Sequence, residues 1–350
     1  MKFNQKKLDI LKAKLKKLEK VKLAQLPTPL HEAPNLSRLL NGPRIFFKRE
    51  DLTGMAFGGN KTRMFEYMLA KIIREGYDTI IAGAAVQSNY CRQMAAGCAK
   101  LGLECHLLLR PVRKDKDYIP QGNYLLDLLM GAKVTILQNS SQEYQINEAE
   151  KLAEKLRNAG RKPFIARAIN ERFVGYDSSA YVDCMVEICE QVKEQDLNFD
   201  YIYVASLDTT HTGLLFGAEY VEAEVDIRAI NPVDLNFLAW VPEKKVMEIN
   251  QEICKVLDID FTIPSNRIFS ISDYIGDGYG IMTDGCREAI NLVARTEGIF
   301  LDPVYSGKAM AGLIDHLKRG KLGKGDTVLF IHTGGTPALF AYADELEVKK

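Results

Sequence analysis

The sequence predicts an α/β protein built around parallel sheet, and three observations carry that reading. Short β-rich runs alternate with longer stretches of helical periodicity along most of the 350 residues. Runs such as Val328-Leu-Phe-Ile331 are continuously apolar, as strands covered on both faces are. Small polar residues and glycines gather just after several strands, where loops meet helix N-termini and ligands of open α/β sheets bind.

In chain order, the first element is a lysine-rich amphipathic helix with Leu8, Leu11, Leu15 and Leu18 on one face. It has no apolar signal core, and with Asp9, Glu19 and no arginine it is a poor transit peptide. It is expected to pack on the body of the protein. Strands follow at 44–48, 79–82, 106–109, 133–137, 201–205 and 327–332, with helices at 60–75, 88–101, 147–159 and 213–224. No repeat or glycine–serine linker marks a boundary. The units divide into 1–60, which joins the N-terminal helix to part of a large domain, a small α/β domain over 61–168, and the rest of the large domain over 169–350.

Composition excludes several classes. Hydrophobic residues make up 47% and charged residues 26%, which suits a packed globular chain and not a disordered one. Basic and acidic side chains balance at 46 each, so there is no basic footprint for nucleic acid. No apolar run approaches the ~18 residues of a membrane span. The seven cysteines form no C-x-x-C pair, and their odd number without an export signal points to reduced thiols in a cytoplasm. Cys91, Cys98 and Cys105 recur every seven residues, which suits small buried hydrophobes better than metal ligands.

Five segments carry chemistry. Phe57-Gly-Gly-Asn-Lys61 is a glycine turn opening a helix with a lysine in its first turn. Lys48, Arg49, Arg63 and the positive helix end would lower the pKa of that lysine, as a Schiff-base nucleophile requires. A solvated lysine past a turn is an equally open reading. Gln87-Ser88-Asn89 follows a strand, so Ser88 either caps a helix or faces a bound anion with Asn89. Tyr279 stands between glycines, and Tyr305 and Ser306 precede an apolar helix. Two such tyrosines suggest acid–base work, though turn packing explains each one alone. His332 and Thr333 close a buried strand, where a hydrogen-bonded core histidine is the commoner outcome.

Together these segments resemble one family. Leu26-Pro-Thr-Pro-Leu30, Phe47-Lys-Arg-Glu-Asp-Leu52, Gly58-Gly-Asn-Lys61, Gln87-Ser-Asn89, Leu301-Asp-Pro-Val-Tyr-Ser-Gly-Lys308 and His332-Thr-Gly-Gly-Thr-Pro-Ala-Leu339 look like the D-cysteine desulfhydrase and 1-aminocyclopropane-1-carboxylate deaminase family. The resemblance implies pyridoxal-phosphate fold type II, the tryptophan-synthase-β-like architecture of two open, twisted, mostly parallel sheets flanked by helices. It implies a homodimer acting on a small amino acid, with pyridoxal 5'-phosphate as cofactor and no metal.

By the same resemblance, Lys61 would carry the cofactor as a Schiff base and later shuttle the α-proton. Gln87, Ser88 and Asn89 would contact substrate, Asn89 and Asn60 the cofactor, and Tyr279 and Tyr305 would flank the reacting carbon. Ser306 and Thr333 would lie near the pyridine nitrogen. Ring-opening deaminases of the family carry glutamate at the Ser306 position, so its absence favours α,β-elimination to a 2-keto acid, ammonia and, from D-cysteine, sulfide. Sulfo-lyases of the family share Thr62-Arg63 and Ser306, which keeps cysteate as a rival substrate. Another deamination, racemisation or carbon–carbon cleavage stays open, as does a non-catalytic ligand-binding or assembly subunit.

Three departures stand out. Where the family holds the cofactor phosphate with a glycine-rich loop, this chain has Ser206-Leu-Asp-Thr-Thr-His-Thr-Gly213. Ser206, Thr209, Thr210 and Gly213 would have to hold the phosphate, with Asp208 a repelling charge if it points inward. The stretch 166–175 carries Arg167 and Arg172, which would either bind an acidic substrate group or lie on the surface. Tyr90 replaces a histidine that commonly follows Ser-Asn. These changes suggest a shifted substrate.

Overall fold

The computed structural model describes residues 1–139, 141–166, 173–206, 208–233 and 241–346. Two sheets organise them. Strands β1 (Leu30–Glu32), β2 (Arg44–Lys48), β7 (Tyr201–Ala205), β8 (Asp226–Ile230), β9 (Phe269–Ile271) and β10 (Thr327–Ile331) form a six-stranded sheet in the order β1-β2-β10-β7-β8-β9. Only β1 runs antiparallel, to β2. Strands β3 (Thr79–Ala85), β4 (Glu104–Arg110), β5 (Lys133–Ile136) and β6 (Pro163–Ile165) form a four-stranded sheet in the order β5-β4-β3-β6, parallel throughout. The parallel α/β reading and the two-sheet architecture both hold.

Helices cover the faces: α1 (Gln5–Leu15), α2 (Pro34–Leu40), α3 (Asn60–Arg74), α4 (Asn89–Leu101), α5 (Gly122–Leu129), α6 (Gln142–Asn158), α7 (Val174–Glu194), α8 (Thr209–Tyr220), α9 (Pro242–Leu257), α10 (Asp284–Glu297), α11 (Ser306–Lys318) and α12 (Ala338–Ala341). Helix α1 is seated through Leu8, Leu11 and Leu15, all buried. Helix α4 starts on Ser88, whose hydroxyl accepts from the amides of Tyr90 and Cys91, and stops at Gly102 in the left-handed conformation.

Two helices begin earlier than the periodicity predicts, because polar caps set their starts. Ser141 caps α6 through the Tyr144 amide, and Asp208 caps α8 through the Thr209 amide. Thr209, Thr210 and Gly213 are therefore helical and not part of an open loop. The main core joins residues of α3, α4, α7 and α8 to both sheets, and a second core lies under α10 and α11. All seven cysteines are free, with Cys91, Cys98 and Cys105 buried. Among the described residues no helix is long and apolar enough to cross a membrane.

Candidate active site

The site is assembled where four helices begin, at the carboxyl ends of strands from both sheets. Lys61 is the second residue of α3. The preceding turn is tightly bent, with positive φ at Ala56 (48°), Phe57 (66°), Gly58 (65°) and Gly59 (127°). At Gly58 a Cβ would lie 1.9 Å from the Asp51 carbonyl oxygen, so only glycine fits. The turn is tied down from two sides. The Gly59 amide donates to Thr53 Oγ1 at 2.8 Å, and the buried Arg92 guanidinium donates to the carbonyls of Ala56 and Gly58. Asn60 then donates its amide to the Thr333 carbonyl at 3.0 Å. The Lys61 ammonium lies 5.3 Å from the centre of the Tyr305 ring.

The cations expected to depress the lysine pKa do not act as a positive field. Arg63 forks onto Glu50 at 2.8 and 2.9 Å and also reaches Glu187. Lys48 pairs with the same Glu187, and Arg49 pairs with Asp51 at 2.8 Å. Each charge is met by an opposite one, so the sequence argument from nearby cations is corrected. Thr62 is likewise engaged within the protein, its amide and hydroxyl both donating to Gln93 Oε1 at 2.8 and 3.0 Å. Thr62-Arg63 therefore gives no physical support to a sulfonate substrate.

At the start of α4, the Ser88 hydroxyl is used as the cap, at 3.2 Å from each of two amides. Gln87 commits both ends of its amide to the 121–123 turn, donating to the Gln121 carbonyl and accepting from the Asn123 amide at 2.9 Å. It positions this loop. Asn123 also donates to Asn89 Oδ1 at 2.9 Å, which leaves the Asn89 amide nitrogen facing Asp302 at 3.5 Å.

Asp302 organises the start of α11. Its carboxylate accepts from the amides of Tyr305 and Ser306 and from the Ser306 hydroxyl at 2.7 Å, while its own amide donates back to that hydroxyl. The Ser306 proton is thus directed at Asp302. Tyr305 and Tyr279 share a hydrogen bond of 2.9 Å with rings edge-to-face. Burial pushes the Tyr279 phenol up to about 12, and burial together with Tyr279 and Asp302 raises Tyr305 well above its ordinary value. Both phenols are neutral at physiological pH. His332 is a hydrogen-bonded core residue: its Nε2 donates to the Phe300 carbonyl at 3.0 Å, and its Nδ1 accepts from Gly334.

The start of α8 adjoins this group through a 3.0 Å bond from Asn60 Nδ2 to Thr210 Oγ1. Ser206 Oγ accepts from the His211 amide at 3.1 Å, and Asp208 holds the Thr209 amide at 2.6 Å. Gly213 lies farther along the helix, where a Cβ would stand 2.3 Å from the Ser178 carbonyl. Its role is to let α7 approach α8, so the expectation that it cradles a phosphate is corrected. Arg167 and Arg172 lie outside the described residues.

The structure thus joins Asn60, Lys61, Asn89, Thr210, Tyr279, Tyr305, Ser306 and Thr333 in one connected cluster. Sequence reasoning missed Asp302, Asn123 and Arg92, which hold the cluster together. Of these only Asp302 left a signal, an acidic residue four before Ser306 at a helix start. The group implied by the resemblance fits here in its main requirement: an amine beside an aromatic face, ringed by buried amide and hydroxyl groups.

Comparison with known proteins agrees. The family described as pyridoxal-phosphate dependent enzyme matches residues 21–334. A crystal structure of an ACC deaminase homologue is similar at 32% identity, with a TM-score of 0.84 over 96% of this chain and 98% of that one. Escherichia coli diaminopropionate ammonia lyase in apo form superimposes with a TM-score of 0.64 at 15% identity, covering 99% of this chain and 94% of that one. The processed form of threonine deaminase isoform 2 from Solanum lycopersicum gives 0.65 at 17%, covering 98% and 93%. These last two are likenesses of fold.

Proposed function

The chain belongs to the family of pyridoxal-phosphate-dependent enzymes, and we propose that it is a deaminating lyase that removes a leaving group from Cβ of a small amino acid. D-cysteine is the first substrate of this reading, giving pyruvate, ammonia and sulfide. The observation that carries it is the placement of the Lys61 amine 5.3 Å from the Tyr305 ring, with Tyr305 hydrogen-bonded to Tyr279.

When bound, pyridoxal phosphate draws electron density from the substrate's α-carbon and acidifies its hydrogen. Lys61 is the base positioned to take that proton. The departing sulfur needs a proton to leave as a thiol, and the paired phenols, kept protonated by burial, are the donors at hand. The start of α4, fixed by the Ser88 cap, offers its positive end to the substrate carboxylate. Asn89 is held in register by Asn123 and Asp302. Ser306 presents a neutral hydroxyl where ring-opening deaminases of the resembled family carry glutamate, which keeps the reading with elimination. Loss of the α-proton and the thiol leaves an enamine, which water converts to the keto acid and ammonia. The homodimer and a cytoplasmic setting belong to the same proposal.

Tyr279→Phe tests the role of the phenols. Turnover of D-cysteine should fall by about 10²–10⁴. β-Chloro-D-alanine, whose chloride departs without a proton, should keep most of its rate. Equal losses on both substrates would contradict a proton-donating phenol.

A further inference from the structure

The start of α8 holds an anion of the chain's own. The Asp208 carboxylate accepts from the Thr209 amide at 2.6 Å and from the Thr209 hydroxyl at 3.3 Å, in the position that a bound anion takes at a helix N-terminus. Two other amides of that first turn are also engaged, His211 with Ser206 Oγ and Thr212 with the Asp208 carbonyl. Thr209, Thr210 and His211 are buried, whereas Asp208 is only partly so. Its charge adds to the rise that burial gives the Tyr305 phenol and opposes the fall, to about 4, that burial gives the His211 imidazole.

This terminus is also the one joined to Lys61. Thr210 accepts from Asn60, the residue before the lysine, and the Lys61 amine lies 5.3 Å from the Tyr305 ring centre. At the beginnings of α4 and α11 the caps Ser88 and Asp302 take part of the first-turn amides, and the start of α4 is the one assigned to the substrate carboxylate. A phosphate on a cofactor attached at Lys61 therefore finds, at the adjoining terminus, hydroxyls suited to it and a carboxylate already in place.

We propose that Asp208 competes with the cofactor's phosphate for the start of α8, and so sets how tightly this chain holds pyridoxal phosphate. The carboxylate leaves the terminus when the phosphate arrives, and it returns when the phosphate departs. The cofactor is then exchangeable, and a large share of its binding comes from Lys61 and the ring contacts. The proposal rests on the family's cofactor and is independent of which amino acid is consumed.

The test compares equilibrium binding of pyridoxal phosphate and of pyridoxal, which has the same aldehyde and ring but no phosphate. Binding is read from the change in cofactor absorbance in wild type, D208N and D208S. Both replacements keep an oxygen for the Thr209 amide while removing the charge, so α8 stays capped. Pyridoxal phosphate should bind about tenfold or more tightly in both variants, the size expected for removing one unit charge beside a phosphate. Pyridoxal affinity should stay unchanged. An unaltered preference for the phosphorylated form, or weaker phosphate binding in both variants, would overturn the proposal. Circular dichroism of each variant without cofactor confirms that the fold is intact, and D208S stands in if D208N fails that check.

Discussion

Lys61→Ala is expected to lower turnover by about 10⁴-fold or more, because a single side chain supplies both the attachment point and the base. The surrounding geometry leaves no obvious substitute. Lys48 is buried against Glu187, Gln191 and the Thr28 carbonyl, and Lys308 is held by the carbonyls of Ile275 and Gly278 at 2.6 and 2.9 Å. Borohydride reduction followed by peptide mass mapping gives a readout without catalysis. One cofactor mass should appear on Lys61 in wild type, with none at that position in the variant. Full activity in the alanine variant would remove the chemical basis of the assignment.

Arg63→Ala should have the largest effect on folding. Arg63, Glu50 and Lys48 are fully buried and Glu187 nearly so, and the four balance in charge. Tyr181 and Thr28 add hydrogen bonds to Glu50 at 2.9 and 2.6 Å. Removing the guanidinium leaves a carboxylate with no cation forked onto it in the core, a loss of about 3–5 kcal/mol. Urea unfolding at neutral pH reads it directly. Lysine cannot restore the two-pronged contact, so Arg63→Lys should recover only part of the loss.

The same network has a pH signature. Burial alone would raise the Glu50 carboxyl, yet the Arg63 charge and its hydrogen bonds bring it down from 4.5 to about 2. A carboxyl with a lowered folded value contributes stability that is fully present above its unfolded value. That contribution fades as pH falls from about 4.5 toward 2. In Arg63→Ala burial is no longer offset by Arg63, so the folded value rises and the loss of stability between about pH 4.5 and 2 should shrink. The consequence reaches the site, because Arg63 lies two residues beyond Lys61 and pins the start of α3 to α7 and to the Glu50 turn.

The strands at 44–48 and 201–205 were legible because both are compact apolar runs in the centre of a sheet, and their bounds match those of β2 and β7. Helix α7 was not. It is buried on most sides and carries Asp177, Ser178 and Ser179 inward, so it shows no single apolar stripe for periodicity to detect. Strand β8, Asp226–Ile230, mixes charge with apolar residues and is fixed by pairing with β7, which no local pattern encodes.

The candidate cluster was legible where a helix start gathers small polar and aromatic residues, as at Lys61, Ser88 and Tyr305. It was not legible where function depends on distant partners. The Gly-poor stretch from Ser206 reads as a damaged loop, but the structure shows a helix start capped by Asp208. Likewise Thr62 and Arg63 are shared in sequence with sulfo-lyases of the resembled family, yet they face Gln93 and Glu50. A motif identifies the residue type required, and the long-range partner decides which way the side chain points.

The most direct test of the account is product stoichiometry from the cofactor-loaded protein supplied with D-cysteine. Sulfide, pyruvate and ammonia should appear in equal amounts, and all three should vanish in Lys61→Ala. If the loaded enzyme releases no sulfide or keto acid from D-cysteine, or releases them equally without Lys61, elimination of D-cysteine at this lysine–tyrosine centre is contradicted.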